Sequence, residues 1–194
     1  MHPKPGSRAV GIAVADGPTR SQLCGAVVRA DRVVDGVAFS TCRTGGTDAT
    51  SACSDLLERL DRPDARWILL AGVAPAWFNL VDVRALGATA ERPVIALSFE
   101  ASDGLEDPLR EHFSGRALAE RLERYEALPE RTRLQRDDGD LFVRTAGIET
   151  ASAREVLRAF TPAGRRRPEP LRVARLAARA ASTHAARLVD DEET

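Results

Sequence analysis

The sequence predicts an α/β protein built as one domain on a mixed central sheet, with helices flanking the sheet in a three-layer fold. Strand-like runs fill most of the first 41 residues, a helical apolar period follows, and two continuously apolar runs then alternate with helical stretches. A chain of 194 residues with 43% apolar content can bury one sizeable core. We expect a single domain over residues 1–188 and an acidic, disordered tail over 189–194.

The first part of the chain predicts three antiparallel strands. Residues 8–15, RAVGIAVA, alternate larger and smaller apolar side chains, which is typical of a central strand with one tightly packed face. Asp16-Gly17-Pro18 ends this strand. Two β-rich runs, 22–30 and 32–41, then surround Asp31-Arg32, where we expect a hairpin turn. Consecutive strands joined by short turns pair in antiparallel fashion.

A crossover helix and two parallel strands are expected next. Residues 44–60 change to a helical apolar period, with Thr47 or Asp48 available as the N-cap. Residues 67–73 and 93–99 are continuously apolar, as expected for strands covered on both faces. A helix between them completes a β-helix-β unit, so these two strands should be parallel.

The remaining chain is predicted to be mainly helical. Helical spacing extends over 106–128, a short strand follows at 141–147, and two further helices are expected around 152–160 and 169–182. This order of elements is the layout of the ribonuclease H-like fold, with another α/β sandwich as the alternative.

Composition indicates a cytoplasmic protein without a membrane segment. The formal net charge of −1 provides no overall attraction to nucleic acid or to anionic membranes, so such an affinity requires a local patch. Cys24, Cys42 and Cys53 form no CxxC pair, and their odd number argues against a disulfide framework. The first residues, MHPKPGSR, lack the apolar core of a signal peptide, and no apolar run is long enough to span a bilayer.

Five sequence blocks carry a resemblance to a known family: DATSA (48–52), LLAGVAPAWFNLVDV (69–83), RPVIAL (92–97), LFVRTAGI (141–148) and RPEPLRVARLAA (167–178). In this order they resemble archaeal domain-of-unknown-function family 99, which is similar to endonuclease V. The resemblance implies a ribonuclease H-like fold. It also implies phosphodiester hydrolysis in active relatives, with Mg²⁺ held by carboxylates clamping the reacting oxygens.

At the positions that match the family's metal ligands, this chain has residues that cannot bind Mg²⁺. The aspartate of the first strand falls on Ala13 or Ala15, depending on which neighbouring glycine anchors the comparison. The aspartate of the family's LDG motif falls on Ala71, and the histidine of its PEPxRVAH motif falls on Arg175. Arginine is a permanent cation without an acceptor, so it cannot coordinate a metal.

Four polar residues are candidate remnants of a site, and each also has a structural interpretation. Asp16 should point to the opposite face from Ala13 and Ala15, and it suits a turn before Gly-Pro. Asp48 survives in the DAT block, either as a ligand or as the N-cap of its helix. Asn79 and Asp82 lie three apart at a helix start, the spacing of a reciprocal cap, with substrate contact as the alternative.

The carboxyl-terminal region carries a strong basic patch. From Thr161 to Leu188 there are seven arginines against Glu169 alone, a formal charge of +6. Such a patch can neutralise phosphates without base specificity, whereas the alternative is a solvated helix partly paired with the acidic tail. Three of its arginines are expected on one helix face and three just before the helix, which gives as candidate nucleic-acid contacts Arg165, Arg166, Arg167, Arg172, Arg175 and Arg179.

Three functional hypotheses follow. The leading one is a catalytically degenerate endonuclease V-like protein that needs no cofactor and binds DNA or RNA through its basic helix. The alternatives are an active Mg²⁺-dependent endonuclease with rebuilt ligands and a protein-interaction module that does not bind nucleic acid. The sequence predicts no oligomeric state. If the site mapping is correct, Ala13 or Ala15, Ala71 and Arg175 should meet in one cleft.

Overall fold

A computed structural model describes residues 3–136 and 139–192. Within these ranges the strands are β1 (Arg8–Ala15), β2 (Arg20–Arg29), β3 (Val34–Arg43), β4 (Ala65–Ala71), β5 (Val94–Ser98), β6 (Thr132–Leu134) and β7 (Leu141–Ala146). The helices are α1 (Ala49–Leu60), α2 (Pro75–Phe78), α3 (Val83–Ala90), α4 (Glu106–His112), α5 (Gly115–Glu126), α6 (Thr150–Phe160) and α7 (Glu169–Glu192).

All seven strands form one mixed sheet in the order β3-β2-β1-β4-β5-β7-β6. As predicted, β1, β2 and β3 are antiparallel neighbours, while β1, β4 and β5 are parallel to one another. The far edge adds to the prediction, because β7 runs antiparallel to β5 and pairs with the short strand β6. Sequence patterning missed β6, since a three-residue strand with Leu134 as its only buried residue has no measurable period.

Successive side chains of β1 point to opposite faces of the sheet, and each face packs against a different layer of helices. Val10 and Ile12 belong to the core shared with α1 and α3, whereas Ala13 faces α7. On the α7 side a Cβ built on Gly11 would lie 2.2 Å from the carbonyl carbon of Pro170, so only glycine allows this close approach. The tightly packed face predicted for the first strand is therefore the face that receives α7.

The three cysteines are buried and free, as expected for a protein without a disulfide framework. Burial raises the pKa of the Cys24 and Cys42 thiols to about 11 and that of Cys53 to about 12. Thiols with such pKa values are protonated at neutral pH, so these residues act as small apolar side chains.

The end of α7 differs from the expectation for the tail. The helix continues to Glu192, so residues 189–192 are helical where disorder was expected, and residues 193–194 lie outside the described chain. No helix in the described ranges is both long enough and apolar enough to cross a membrane. A cytoplasmic location and a single domain remain predictions.

Candidate functional site

A cleft of about 680 Å³ opens where β1, β4 and β5 end and α7 passes over the sheet. Its walls include Ala71, Arg175 and both alternatives for the first-strand ligand, Ala13 and Ala15, so each of the three positions assigned to an absent metal ligand lies there. Two parallel strands and one helix therefore bring these residues together from three distant parts of the chain. Carboxyl ends of parallel strands are the usual place for a ligand site in an open α/β sheet.

The alanine side of the cleft is closely packed against α7. Ala13 is 2% exposed and forms a small-residue cluster with Ala174 and Ala178, while Ala15 and Ala71 lie at the margin of that cluster. Methyl groups thus fill the contact between the sheet and the helix. A longer side chain at Ala13 has to displace α7 or adopt a strained rotamer.

The cleft does not fit a divalent metal ion. Asp16 and Glu100 are the only carboxylates among the described residues that line it, and the same lining includes Arg167, Arg175 and Arg179. Mg²⁺ requires a set of oxygen ligands in near-octahedral array. No cluster of three or more histidine, cysteine, aspartate or glutamate side chains suited to a metal occurs in residues 3–136 or 139–192.

Asp16 lies at the rim of the cleft, where its carboxylate accepts a hydrogen bond from the backbone N–H of Ala76 at 3.1 Å. This bond directs Asp16 to Ala76, which packs in the core that contains Val10 and Ile12, whereas Ala13 belongs to the cluster on the α7 side, in keeping with the expectation that Asp16 points away from Ala13 and Ala15. The bond anchors the strained segment Ala76–Phe78, whose three residues all have φ between 50° and 62°. Asp16 therefore holds the loop that follows β4.

Asn79 and Asp48 form a buried junction beneath the loop after β4. The Asn79 amide nitrogen donates to Asp48 Oδ1 at 2.7 Å and to the Arg43 carbonyl at 2.9 Å, while its amide oxygen accepts from Ala49 N–H at 2.9 Å. Asp48 Oδ1 also accepts from Arg43 N–H at 3.1 Å. Asn79 is thus the residue that caps α1, from 30 positions further along the chain.

The hydrogen bonds of Asp48 and Asn79 differ from the capping roles that the sequence predicted for them, whereas those of Asp82 agree with its predicted role. Asp48 occupies the N-cap position of α1, but its side chain makes no capping hydrogen bond because Asn79 and Arg43 already use it. Asn79 does not cap α3 reciprocally with Asp82, since its amide is turned toward α1. Asp82 does cap α3, accepting from Arg84 N–H at 2.9 Å and from Ala85 N–H at 3.0 Å. None of Asp48, Asn79 and Asp82 lines the cleft.

Three of the six predicted arginines meet in the cleft: Arg167, Arg175 and Arg179. Arg172 is separate, because it forms a two-point ion pair with Glu169 at 2.5 and 2.8 Å. Seven residues of helix place Arg172 about 10 Å from Arg179 along the axis, and Arg172 is not among the described residues that line the cleft. Of the three arginines expected on one face of α7, only Arg175 and Arg179 therefore lie at the strand ends.

The three cleft arginines converge without an anionic partner. Burial, followed by the nearby charges of Arg175 and Arg179, lowers the pKa of Arg167, yet an arginine remains cationic at neutral pH. No salt bridge joins any of the three to a carboxylate in the described part of the chain. The Arg167 guanidinium instead lies 4.7 Å from the ring centre of Phe99. This arrangement can bind an anion.

Two positions in the wall of the cleft were not predicted. Phe99 and Glu100 follow directly after β5 and line the cleft beside the arginines. The signal was present in the sequence, because residues just beyond a buried parallel strand lie at the ligand-binding edge of the sheet.

Comparison with known proteins identifies the family. A family model described as endonuclease dU matches residues 5–182. The chain belongs to this family. A UPF0215 protein of Pyrobaculum aerophilum is 36% identical over 163 residues, which cover 83% of this chain and 86% of the relative. The endonuclease dU family includes the archaeal, endonuclease V-like relatives that the sequence blocks indicated, so that prediction is confirmed.

Solved structures confirm the ribonuclease H-like fold of this endonuclease dU family member. A protein of unknown function from Archaeoglobus fulgidus has a TM-score of 0.79 and 24% identity, covering 90% of this chain and 97% of its own. Endonuclease V from Ciona intestinalis, in complex with DNA containing an inosine followed by a ribo-adenosine, has a TM-score of 0.62. It is 11% identical and covers 92% of this chain and 86% of its own, so the likeness concerns the fold alone.

Proposed function

We propose that this chain is a catalytically degenerate member of the endonuclease dU family that binds nucleic acid in the cleft between the strand ends and α7. One observation carries the proposal: three unpaired arginines and three alanines meet where the family resemblance places metal ligands. The cleft keeps a shape suited to a ligand and has a charge opposite to that of a metal-binding site. Binding without hydrolysis is the function that this combination supports.

Hydrolysis by the family's mechanism lacks its chemical requirements here. A metal-dependent nuclease uses bound cations to stabilise both the attacking and the leaving oxygen of the phosphodiester. Ala13 or Ala15 and Ala71 supply no ligand, and Arg175 adds a positive charge at the third position. Asp16 is already bonded to Ala76 N–H, so it is a poor starting point for a rebuilt metal site.

A polyanion is the partner that best fits the cleft. Guanidinium groups bind phosphate oxygens through two parallel hydrogen bonds, and Arg167, Arg175 and Arg179 have no competing carboxylate partner among the described residues. The DNA bound by the endonuclease V of Ciona intestinalis supports the same class of partner. Contacts of this kind depend on phosphates, so we expect weak sequence preference and strong salt dependence.

The binding test is a titration of labelled single- and double-stranded DNA and RNA at low salt, repeated as salt is raised. We expect R175E/R179E to weaken binding at least about tenfold and to reduce the salt slope by about one for each lost phosphate contact. R172E is the matched control for the single variant R175E, because both make the same charge change on the same helix and only Arg175 lies in the cleft. Equal losses in the control and the cleft variant contradict the cleft as the binding site, and no binding even at low salt favours a protein-interaction module.

The same preparations decide between binding and catalysis. Incubation with Mg²⁺ or Mn²⁺ and with deoxyuridine- or inosine-containing DNA and RNA should give no cleavage products, because the ligand positions lack acceptors. The variant D16A guards against a contaminating nuclease. Cleavage by the wild-type protein that disappears in D16A or D48A establishes the alternative, an active endonuclease with rebuilt ligands.

A further inference from the structure

A second cavity of about 520 Å³ lies between the β6–β7 hairpin and the carboxyl end of α6. Four arginines surround it, and leucines that include Leu134 and Leu157 form part of its wall. The arginines are Arg136, Arg154, Arg158 and Arg165, and no acidic residue is among the described residues that line the cavity. A basic rim over apolar side chains matches a nucleotide, whose phosphate is anionic and whose base presents an apolar face.

The second cavity and the cleft open on the same edge of the sheet. Phe142, near the start of β7, pairs with Ser98 at the end of β5. The turn of the β6–β7 hairpin therefore lies at the edge of the sheet where β5 ends. Arg165 lines the second cavity and Arg167 lines the cleft. The Cα atoms of residues two apart are separated by at most about 7 Å. The two cavities are therefore adjacent.

The segment between the cavities is also basic. The guanidinium carbon of Arg166 lies 5.7 Å from the ring centre of Phe99, and that of Arg167 lies 4.7 Å from the same ring. Arg158 and Arg165 have no side-chain ion pair or hydrogen bond with the rest of the described structure. The guanidinium groups at both ends of this path are thus available to phosphates.

We infer that the second cavity is a phosphate-binding subsite for the same nucleic-acid strand that occupies the cleft. The inference rests on the proposed function and adds a direction: the strand leaves the cleft, crosses Phe99 and places a further nucleotide between α6 and the β6–β7 hairpin. A strand long enough to reach both cavities gains contacts that a shorter strand cannot make.

A length series tests this path. Fluorescent oligothymidylates of about 4 to 16 nucleotides are titrated against the full-length wild-type protein and two double variants. We expect R158A/R165A to bind the shortest strand like the wild type and the longest about tenfold more weakly, and R175A/R179A to weaken binding at every length. R84A/R110A, which removes two exposed arginines from α3 and α4, is the control for net charge and should match the wild type.

The outcomes separate the inference from the proposed function. If R175A/R179A loses affinity while R158A/R165A binds all lengths like the wild type, the cleft stands and the second subsite is wrong. If the wild-type protein binds no strand, both the proposed function and the subsite are wrong. The double variant R158Q/R165Q, which keeps a polar side chain as far as Cδ and removes the charge, must reproduce the alanine result at an unchanged melting temperature. If it binds like the wild type, the charge-based subsite is wrong.

Discussion

The cleft and the junction of Asp48 with Asn79 differ in their use of polar side chains. In the cleft, alanines occupy the positions of expected ligands, and Ala13 packs against α7. In the junction beneath it, Asn79 is fully buried and all its hydrogen-bonding atoms are used, by Asp48, Arg43 and Ala49. The difference is instructive: a polar group that satisfies backbone atoms holds the fold together, whereas a polar group that serves only a ligand can be absent without loss of the architecture.

The largest effect is expected from the junction. Asn79→Ala leaves the Arg43 carbonyl and Ala49 N–H without their side-chain partner, so we expect the free energy of unfolding to fall by about 3 kcal/mol. Denaturant titration followed by circular dichroism measures it. Asn79→Asp is the conservative comparison: it keeps the acceptor for Ala49, loses the donors and places a carboxylate beside Asp48. If Asn79→Ala lowers the free energy of unfolding by less than Asp82→Ala does, the junction does not have the expected structural importance.

A smaller loss is expected from crowding the cleft. Ala13→Leu inserts methylene groups between β1 and α7, where Ala174 and Ala178 already fill the space, and should cost about 2 kcal/mol. Ala15→Leu is the matched change at a less buried position of the same strand, with an expected cost of about 0.5 kcal/mol. Equal costs in denaturant titrations indicate that the alanine face is open rather than packed against the helix.

A loss smaller than those of Asn79→Ala and Ala13→Leu is expected at an exposed cap. Asp82→Ala removes the acceptor for Arg84 N–H and Ala85 N–H at the start of α3, and it should lower the free energy of unfolding by about 1 kcal/mol. Asp82→Ser keeps a capping oxygen and should recover most of that stability. The ranking of Asn79→Ala above Asp82→Ala tests whether burial makes the junction more costly to break than an accessible cap.

Sequence patterning predicted the elements that depend on local periods. The alternation of Val10 and Ile12 identified β1 and its buried face, and the family resemblance brought Ala71 and Arg175 into one predicted cleft. The functional consequence of that cleft remains a proposal.

Contacts between distant parts of the chain were not predictable from local periods. Asn79 caps a helix that begins 30 positions earlier, so no short-range pattern indicates the bond. The positive φ values of Ala76–Phe78 were also hidden, because the segment contains no glycine to indicate them. Arg172 was grouped with Arg175 by helical spacing, which describes the direction around an axis and ignores the position along it.

The contact between Gly11 and Pro170 is a point about which α7 can tilt. The helix rests on the strand at its first turn, and Arg179 lies nine residues further along, about 13 Å from that point. A tilt of about 10° at the contact therefore moves Arg179 by about 2 Å, enough to separate a guanidinium from a phosphate. A single methyl group at position 11, far from the charged end of the helix, would thus be felt as a change in the spacing of the arginines.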